Sequence, residues 1–248
     1  MTKSKKSRVD VFLVEQGLCA SREQAQRAVM AGEVRIGDQV INKSSVMVET
    51  GAAVSLQARS PYVGRGGIKL EGALDHFEIA VQGLTALDLG ASTGGFTDCL
   101  LQRGAARVYA IDVGHGQLAW KIRNDPRVVV REKLNARYLS REAVPERIDL
   151  CVIDVSFISL TLILPKAFDL ISPNGVILAL IKPQFELQPA DVAHGGIVRD
   201  PALHEKAQNK IRDFVLNAGH TVVGTVRSGI TGADGNQEFF ICVRRKSV

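Results

Sequence analysis

The chain has 248 residues, 46% of them hydrophobic and 23% charged, with four cysteines and a formal net charge of +5. That size suits one large domain or a large and a small one, and the composition is that of a soluble globular protein. No apolar run reaches the roughly 20 residues that span a bilayer. Asp10 falls where a signal peptide after the basic MTKSKKSR would carry its apolar core, so a cytoplasmic location and no stable membrane association are expected. Cys19, Cys99, Cys151 and Cys242 lie far apart without a C-x-x-C pair, which argues against a disulfide framework and against zinc; no metal is expected.

The charge is unevenly spread. Residues 1–70 hold 11 Lys and Arg against 6 Asp and Glu, whereas residues 71–248 hold 20 of each. A basic first module ahead of a neutral larger one suits a polyanion such as nucleic acid, and equally a surface that only aids solubility. In that module Val9, Phe12 and Leu13 sit at helical spacing and Gly17 is a good stop. Ser21 with Gln24 forms a capping-box pattern ahead of a second helix ending near Gly32. The run VRIGDQVI then reads as a hairpin turning at Gly37-Asp38. Residues 1–60 are thus expected to form a small α+β domain of two helices and a hairpin. The stretch from Gly17 to Val40 resembles the RNA-binding module first described in ribosomal small-subunit protein four, with Ser21, Arg22, Ala25, Gly32 and Val34 at signature positions. The resemblance implies phosphate contacts from Arg22, Arg27 and Arg35, with Arg8, Lys43 and Arg65 as further basic candidates.

Residues 61–70 read as a linker, because Pro61 and three glycines oppose regular structure while Arg65 and Lys69 add charge. Over residues 71–248 seven β-prone runs follow: LTALDLG, RVYAIDV, RVVVREKL, IDLCVIDV, GVILALIK, HTVVGTV and EFFICVRR. Amphipathic segments separate most of them, the pattern of a doubly wound α/β domain with a mainly parallel sheet. The last two runs have no helix between them and predict an antiparallel edge.

The segment from Leu84 to Gly104 reads as strand, glycine turn and helix. Gly90, Gly94 and Gly95 let the backbone approach a ligand, and amides at the helix start can bind an anion. Asp112, at the end of the next strand, is placed to accept hydrogen bonds from two ribose hydroxyls. These features alone fit a dinucleotide or S-adenosylmethionine; the spacing D-x-G-x-x-x-G-G, with Asp88 two residues before Gly90, resembles the first motif of class I methyltransferases. That resemblance implies S-adenosylmethionine held by Asp88, Gly90, Ser92, Thr93, Gly94, Gly95, Phe96 and Asp112. Asn135 follows the third strand, where it can read an adenine edge or simply cap a turn.

Four further segments, RGGIKL, VIDVSF, LIKPQFE and GNQEFF, resemble the ribose 2′-O-methyltransferases of the FtsJ/RrmJ type. Together with the first module they resemble the TlyA family over essentially the whole chain. The resemblance implies a catalytic tetrad of Lys69, Asp154, Lys182 and Glu238, and cytidine riboses of ribosomal RNA as acceptors, free or in ribosomal subunits. Gly64 departs from the family pattern, which has Ser there. A ribose hydroxyl is a weak nucleophile, so oxygen, methyl carbon and sulfur must be held in line and the hydroxyl proton shared as attack proceeds. Lysine serves better in that task when partly desolvated beside a second cation. Lys182 is the candidate base or hydroxyl-orienting group, Asp154 its positioner, and Glu238 and Lys69 the rest of the network. The proline- and glycine-containing stretch 183–200 is expected to be a mobile substrate-gating loop. Two other functions compete with this one. The family's hemolysin label implies a membrane-active protein, but the chain has neither a spanning segment nor a strongly amphipathic basic helix. A non-catalytic RNA-binding factor would not need the complete tetrad. The sequence does not fix an oligomeric state.

Overall fold

The computed structural model describes residues 6–30, 32–37, 39–41, 43–56, 60–192, 195–232 and 234–246. They form two compact units, Met1–Ser60 and Pro61–Val248.

The first unit runs β1 (Lys6–Arg8), α1 (Val9–Glu15), α2 (Arg22–Met30), β2 (Val34–Ile36), β3 (Gln39–Val40), β4 (Met47–Glu49) and β5 (Val54–Leu56). Gly17 follows α1 with φ +71, a left-handed geometry that suits glycine. At the start of α2, Ser21 Oγ accepts the Gln24 N–H (3.2 Å) and Gln24 Oε1 accepts the Ala20 N–H (2.8 Å). The expected hairpin is β2–β3, with Ile36 opposite Gln39; Asp38 of its turn lies outside the described residues. Three strands were not anticipated: β5, which pairs with β2, and the β1–β4 ribbon. The helices close over Val9, Phe12, Leu13, Ala25, Val29 and Val34.

The second unit continues with α3 (Gly66–His76), β6 (Thr85–Leu89), α4 (Gly95–Gln102), β7 (Arg107–Ile111), α5 (Trp120–Arg123), β8 (Val128–Arg131) and β9 (Ile148–Ile153). It ends with α6 (Leu164–Leu170), β10 (Ile171–Ile181), α7 (Pro183–Glu186), α8 (Pro201–Asn217), β11 (Thr221–Arg227) and β12 (Phe239–Arg244). The sheet order is β11-β12-β10-β9-β6-β7-β8. Only β12 runs against its neighbours, pairing antiparallel with both β10 and β11. All seven strands fall on the seven apolar runs. Side-chain alternation with both faces covered explains why the inner strands β6, β9 and β10 are apolar almost throughout. Leu87, Leu89, Cys151 and Ile153 pack under α6 and α8, while Ala86, Leu150, Val152 and Leu180 face α3 and α4.

The reading of 61–70 as a linker needs correction. The segment belongs to the larger unit, and its residues from Gly66 onward open α3. The glycines are there for packing: a Cβ on Gly67 would overlap the buried ring of Tyr62. Among the described residues no helix is long and apolar enough to cross a membrane.

Candidate active site

Strand register gathers the charged residues. Ile153 of β9 lies beside Ala179 of β10, and Ile181 of β10 lies opposite Phe239 of β12. Asp154 and Lys182 therefore leave the carboxyl ends of adjacent parallel strands, and Glu238 enters β12 opposite Lys182. Lys69 reaches them from α3. Two ion pairs result. Lys69 Nζ lies 2.5 Å from Glu238 Oε2, and Lys182 Nζ lies 2.6 Å from Asp154 Oδ1. The second contact is out of hydrogen-bonding alignment, so Asp154 Oδ1 keeps an unused acceptor. Lys182 also donates to Ser156 Oγ at 2.9 Å. Both lysines are 9% exposed and Glu238 only 3%. Removing one partner of a pair so enclosed would strand a charge away from water.

The glycine loop meets this constellation where the connections reverse, between β6 and β9, the place where open α/β sheets gather ligands. Gly90 (φ +90) packs so tightly on the Asp154 carbonyl that a Cβ there would overlap its oxygen, while the Asp154 N–H donates to Leu89 O at 2.9 Å. Asp112 is held by two amides: Ser92 N–H to Oδ2 (2.7 Å) and Gly114 N–H to Oδ1 (2.6 Å). A cavity of about 470 Å³ opens here, lined by Gly90, Ser92, Asp112, Gln117, Asn135, Asp154 and Ser156 among others. A recess of about 110 Å³ lies under the loop, bounded by Gly66, Gly90, Ser92, Thr93, Gly95, Phe96 and Asp154. Asp154 borders both. Asn135 Oδ1 accepts the Arg137 N–H at 2.9 Å, so it caps a turn as well as facing the cavity.

Two expected cofactor residues lie behind the loop and line neither cavity. Gly94 (φ +95) caps α4 against Leu118 and Ile122. Asp88 is fully buried; Thr97 Oγ1 donates to its Oδ2 at 2.6 Å, and its Oδ1 has no partner among the described residues. Burial, reinforced by the nearby Asp154 and Asp112 carboxylates and opposed by the Thr97 bond, pushes this carboxyl up to about 7. Gly64, the departure from the family pattern, fits its site: a Cβ there would lie 2.7 Å from Thr93 Oγ1.

The stretch after Lys182 is tied down at its ends, so a freely mobile segment does not extend to them. Glu186, 4% exposed, accepts Ser159 Oγ (2.6 Å), the Leu160 N–H (2.7 Å) and Lys210 Nζ (2.9 Å). Further on, the Val198 N–H donates to Asn236 Oδ1 and Asn236 Nδ2 donates to Gly196 O, both at 2.9 Å. Ala193 and His194 lie outside the described residues.

Of the basic candidates, Arg27 and Lys43 are exposed and Arg35 is half-buried. Arg65 is exposed at the start of α3 and donates to Thr231 O at 2.8 Å. Arg8 and Arg22 both grip the buried Asp10. Sequence reasoning passed over Asp10, Ser156 and Glu186. An acid inside the apolar run VDVFLV was a usable signal for the first, and the position two residues after Asp154 for the second.

A doubly wound sheet with an antiparallel seventh strand, a glycine loop at its switch point and an acid ending the second strand defines the class I methyltransferase fold. An S-adenosylmethionine-dependent methyltransferase from Mesorhizobium loti has the same fold at 15% identity, with a TM-score of 0.55 over 73% of this chain and all of that one. Residues 62–245 match the FtsJ-like methyltransferase family and residues 7–54 the S4 domain; the chain belongs to the FtsJ-like methyltransferase family and carries an S4 domain ahead of it. It is 45% identical to the 16S/23S rRNA (cytidine-2′-O)-methyltransferase TlyA of Mycobacterium tuberculosis, over 98% of this chain and 92% of that protein. It is 41% identical to Hemolysin A of Brachyspira hyodysenteriae, over 94% and 97% respectively. A solved structure of a hemolysin-named protein from Streptococcus thermophilus aligns with a TM-score of 0.76 at 42% identity, covering 98% of this chain and 89% of that one.

Proposed function

We propose that this chain is an RNA methyltransferase that moves a methyl group from S-adenosylmethionine to a ribose 2′-hydroxyl, that of a cytidine in ribosomal RNA, on ribosomal subunits in the cytoplasm. The observation that carries this reading is the pair of enclosed ion pairs, Lys69–Glu238 and Lys182–Asp154, set at one strand end beside the glycine-loop cavity. The named activity of the M. tuberculosis relative and the S4 domain support the RNA acceptor.

The cavity suits the cofactor. Its volume falls within the roughly 300–1,000 Å³ of small-molecule sites. Asp112, already oriented by two amides, presents its remaining lone pairs to ribose hydroxyls, and the loop amides near the start of α4 suit a carboxylate. When bound, S-adenosylmethionine supplies a methyl group activated on a sulfonium. The protein's own residues do the rest. Lys182, braced by Asp154 and Ser156, has a further N–H direction that would hold the 2′ oxygen and orient that oxygen's lone pair for attack. With the cofactor bound, the oxygen would gain the methyl group as the carbon–sulfur bond breaks and the neutral thioether leaves, and the hydroxyl proton, made strongly acidic, would pass to the Lys182–Asp154 pair. Lys69 and Glu238 brace the opposite side and keep the site's charge balanced.

The test is transfer of labelled methyl groups to ribosomal subunits and to free ribosomal RNA, comparing wild type with Lys182→Ala and Asp154→Ala. Loss of about 10²–10⁴-fold is expected for each variant. Equal incorporation by all three proteins overturns the mechanism, and label recovered on bases rather than riboses overturns the acceptor.

A further inference from the structure

Asp10 is the most completely enclosed carboxylate among the described residues of the first unit. Its side chain is 0% exposed, yet it sits between two guanidiniums that are 40% (Arg8) and 55% (Arg22) exposed. Arg8 grips both oxygens, Nε to Oδ1 and Nη2 to Oδ2, each at 3.0 Å. Arg22 Nε donates to Oδ2 at 3.0 Å and Gln26 Nε2 to the same oxygen at 2.9 Å. A fourth donor, the Val11 N–H, reaches Oδ1 at 3.0 Å. The donors come from β1, α1 and α2, so one carboxylate ties three segments together. The guanidiniums hold its carboxyl well below the usual carboxylate range.

We infer that Asp10 is a positioning residue for RNA binding: it sets Arg8 and Arg22 as a rigid two-guanidinium fork whose solvent-facing N–H groups take a phosphodiester. This rests on the RNA reading above. An arginine has five N–H donors in a fixed plane. Within the described residues Arg8 uses two of them on Asp10 and Arg22 uses one, all on the inner side. The donors left over belong to side chains that stay 40% and 55% exposed while their bonds to Asp10 restrain them. Ordering a long side chain on binding carries an entropic cost, and here Asp10 has met it beforehand. The cluster keeps a net charge of +1, which preserves its attraction for a polyanion.

The inference has a sign that simple charge counting does not share. Asp10→Asn adds one positive charge, so if charge alone governed affinity the variant would bind RNA more tightly. If the carboxylate positions the fork, the variant binds more weakly, by roughly 10-fold for two released arginines. The measurement is filter binding of the full chain to deproteinised ribosomal RNA and to polyuridylate, between about 50 and 200 mM salt, with a thermal melt to confirm folding. A second pair of variants, Arg8→Lys and Arg22→Lys, keeps the charge and does not depend on Asp10→Asn folding. A lysine cannot hold both carboxylate oxygens and also face outward in a plane. Each should lose affinity for ribosomal RNA. Wild-type binding with Asp10→Asn equal or tighter, or with both lysine variants unchanged, overturns the fork alone. Wild type that binds neither RNA in a salt-dependent way overturns the RNA reading and the fork with it.

Discussion

Replacing Gly90 by Ala tests whether the glycine loop and the Lys182–Asp154 pair act as one piece. Two costs combine at this position. Its φ of +90 disfavours any side chain, at roughly 1–2 kcal/mol. The added Cβ would also overlap the Asp154 carbonyl oxygen well inside the 3.0 Å that real Cβ atoms respect. That neighbour is backbone, so the ends of β6 and β9 must part by more than half an ångström, carrying Asp154 with them. A misplacement of about 1 Å at a reacting group costs on the order of 10²-fold in rate. Gly83 is the control: its φ is +78 with open space where a Cβ would go, in the turn before β6. Gly83→Ala should lower stability by ~1–2 kcal/mol and leave methyl transfer intact. Gly90→Ala should lower stability by more and reduce turnover by about 10²-fold. Thermal melts and labelled-methyl transfer at saturating cofactor read the two effects separately. Wild-type turnover by Gly90→Ala would refute the coupling of loop and pair.

The buried Asp88 predicts a pH dependence. Its carboxyl is raised to about 7, so the folded chain holds this proton more tightly than the unfolded chain does. Stability therefore falls as pH rises from about 4 to about 7 and levels off above that. The upper bound is about 4 kcal/mol. Asp88→Asn removes that penalty but leaves an amide group without a partner, at ~1–3 kcal/mol. Cofactor-free Asp88→Asn should therefore fall below wild type by that amount near pH 4 and gain on it towards pH 8; melting curves with a pH-independent difference would count against this. Ser156→Ala takes one acceptor from Lys182 and should lower turnover at saturating cofactor, with Ser156→Thr restoring it; unchanged turnover would show that Ser156 does not orient the amine.

The sheet was legible because its inner strands are buried on both faces and read as continuous apolar runs, while the edge strand β11, exposed on one face, still shows as a β-branched run. The proposed tetrad was legible as three residues at strand ends, Asp154, Lys182 and Glu238, and one, Lys69, in the glycine-rich segment ahead of the sheet. Its pairing was not, because which lysine meets which acid depends on the β10–β12 register and on where α3 lands. Helix α3 itself was hidden by Gly64, Gly66 and Gly67, which read as linker and in fact let Tyr62 and Thr93 pack against the chain. The strands β1, β4 and β5 are three residues each, too short for alternation to register. Asp10 served in the sequence only to exclude a signal peptide, and its role stayed hidden because two of its partners, Arg22 and Gln26, lie 12 and 16 residues away on α2. Glu186 escaped for the same reason, since Ser159 and Lys210 flank it from distant elements.

The two enclosed ion pairs also shape how such a sequence can drift. An enclosed pair exchanged for well-fitting apolar residues is often neutral or gains about 1–4 kcal/mol, whereas losing one member costs about 3–5 kcal/mol. A lineage freed from catalysis would therefore shed Lys69 with Glu238, and Lys182 with Asp154, as couples rather than singly. This chain carries both couples, at positions where stability alone would favour neither.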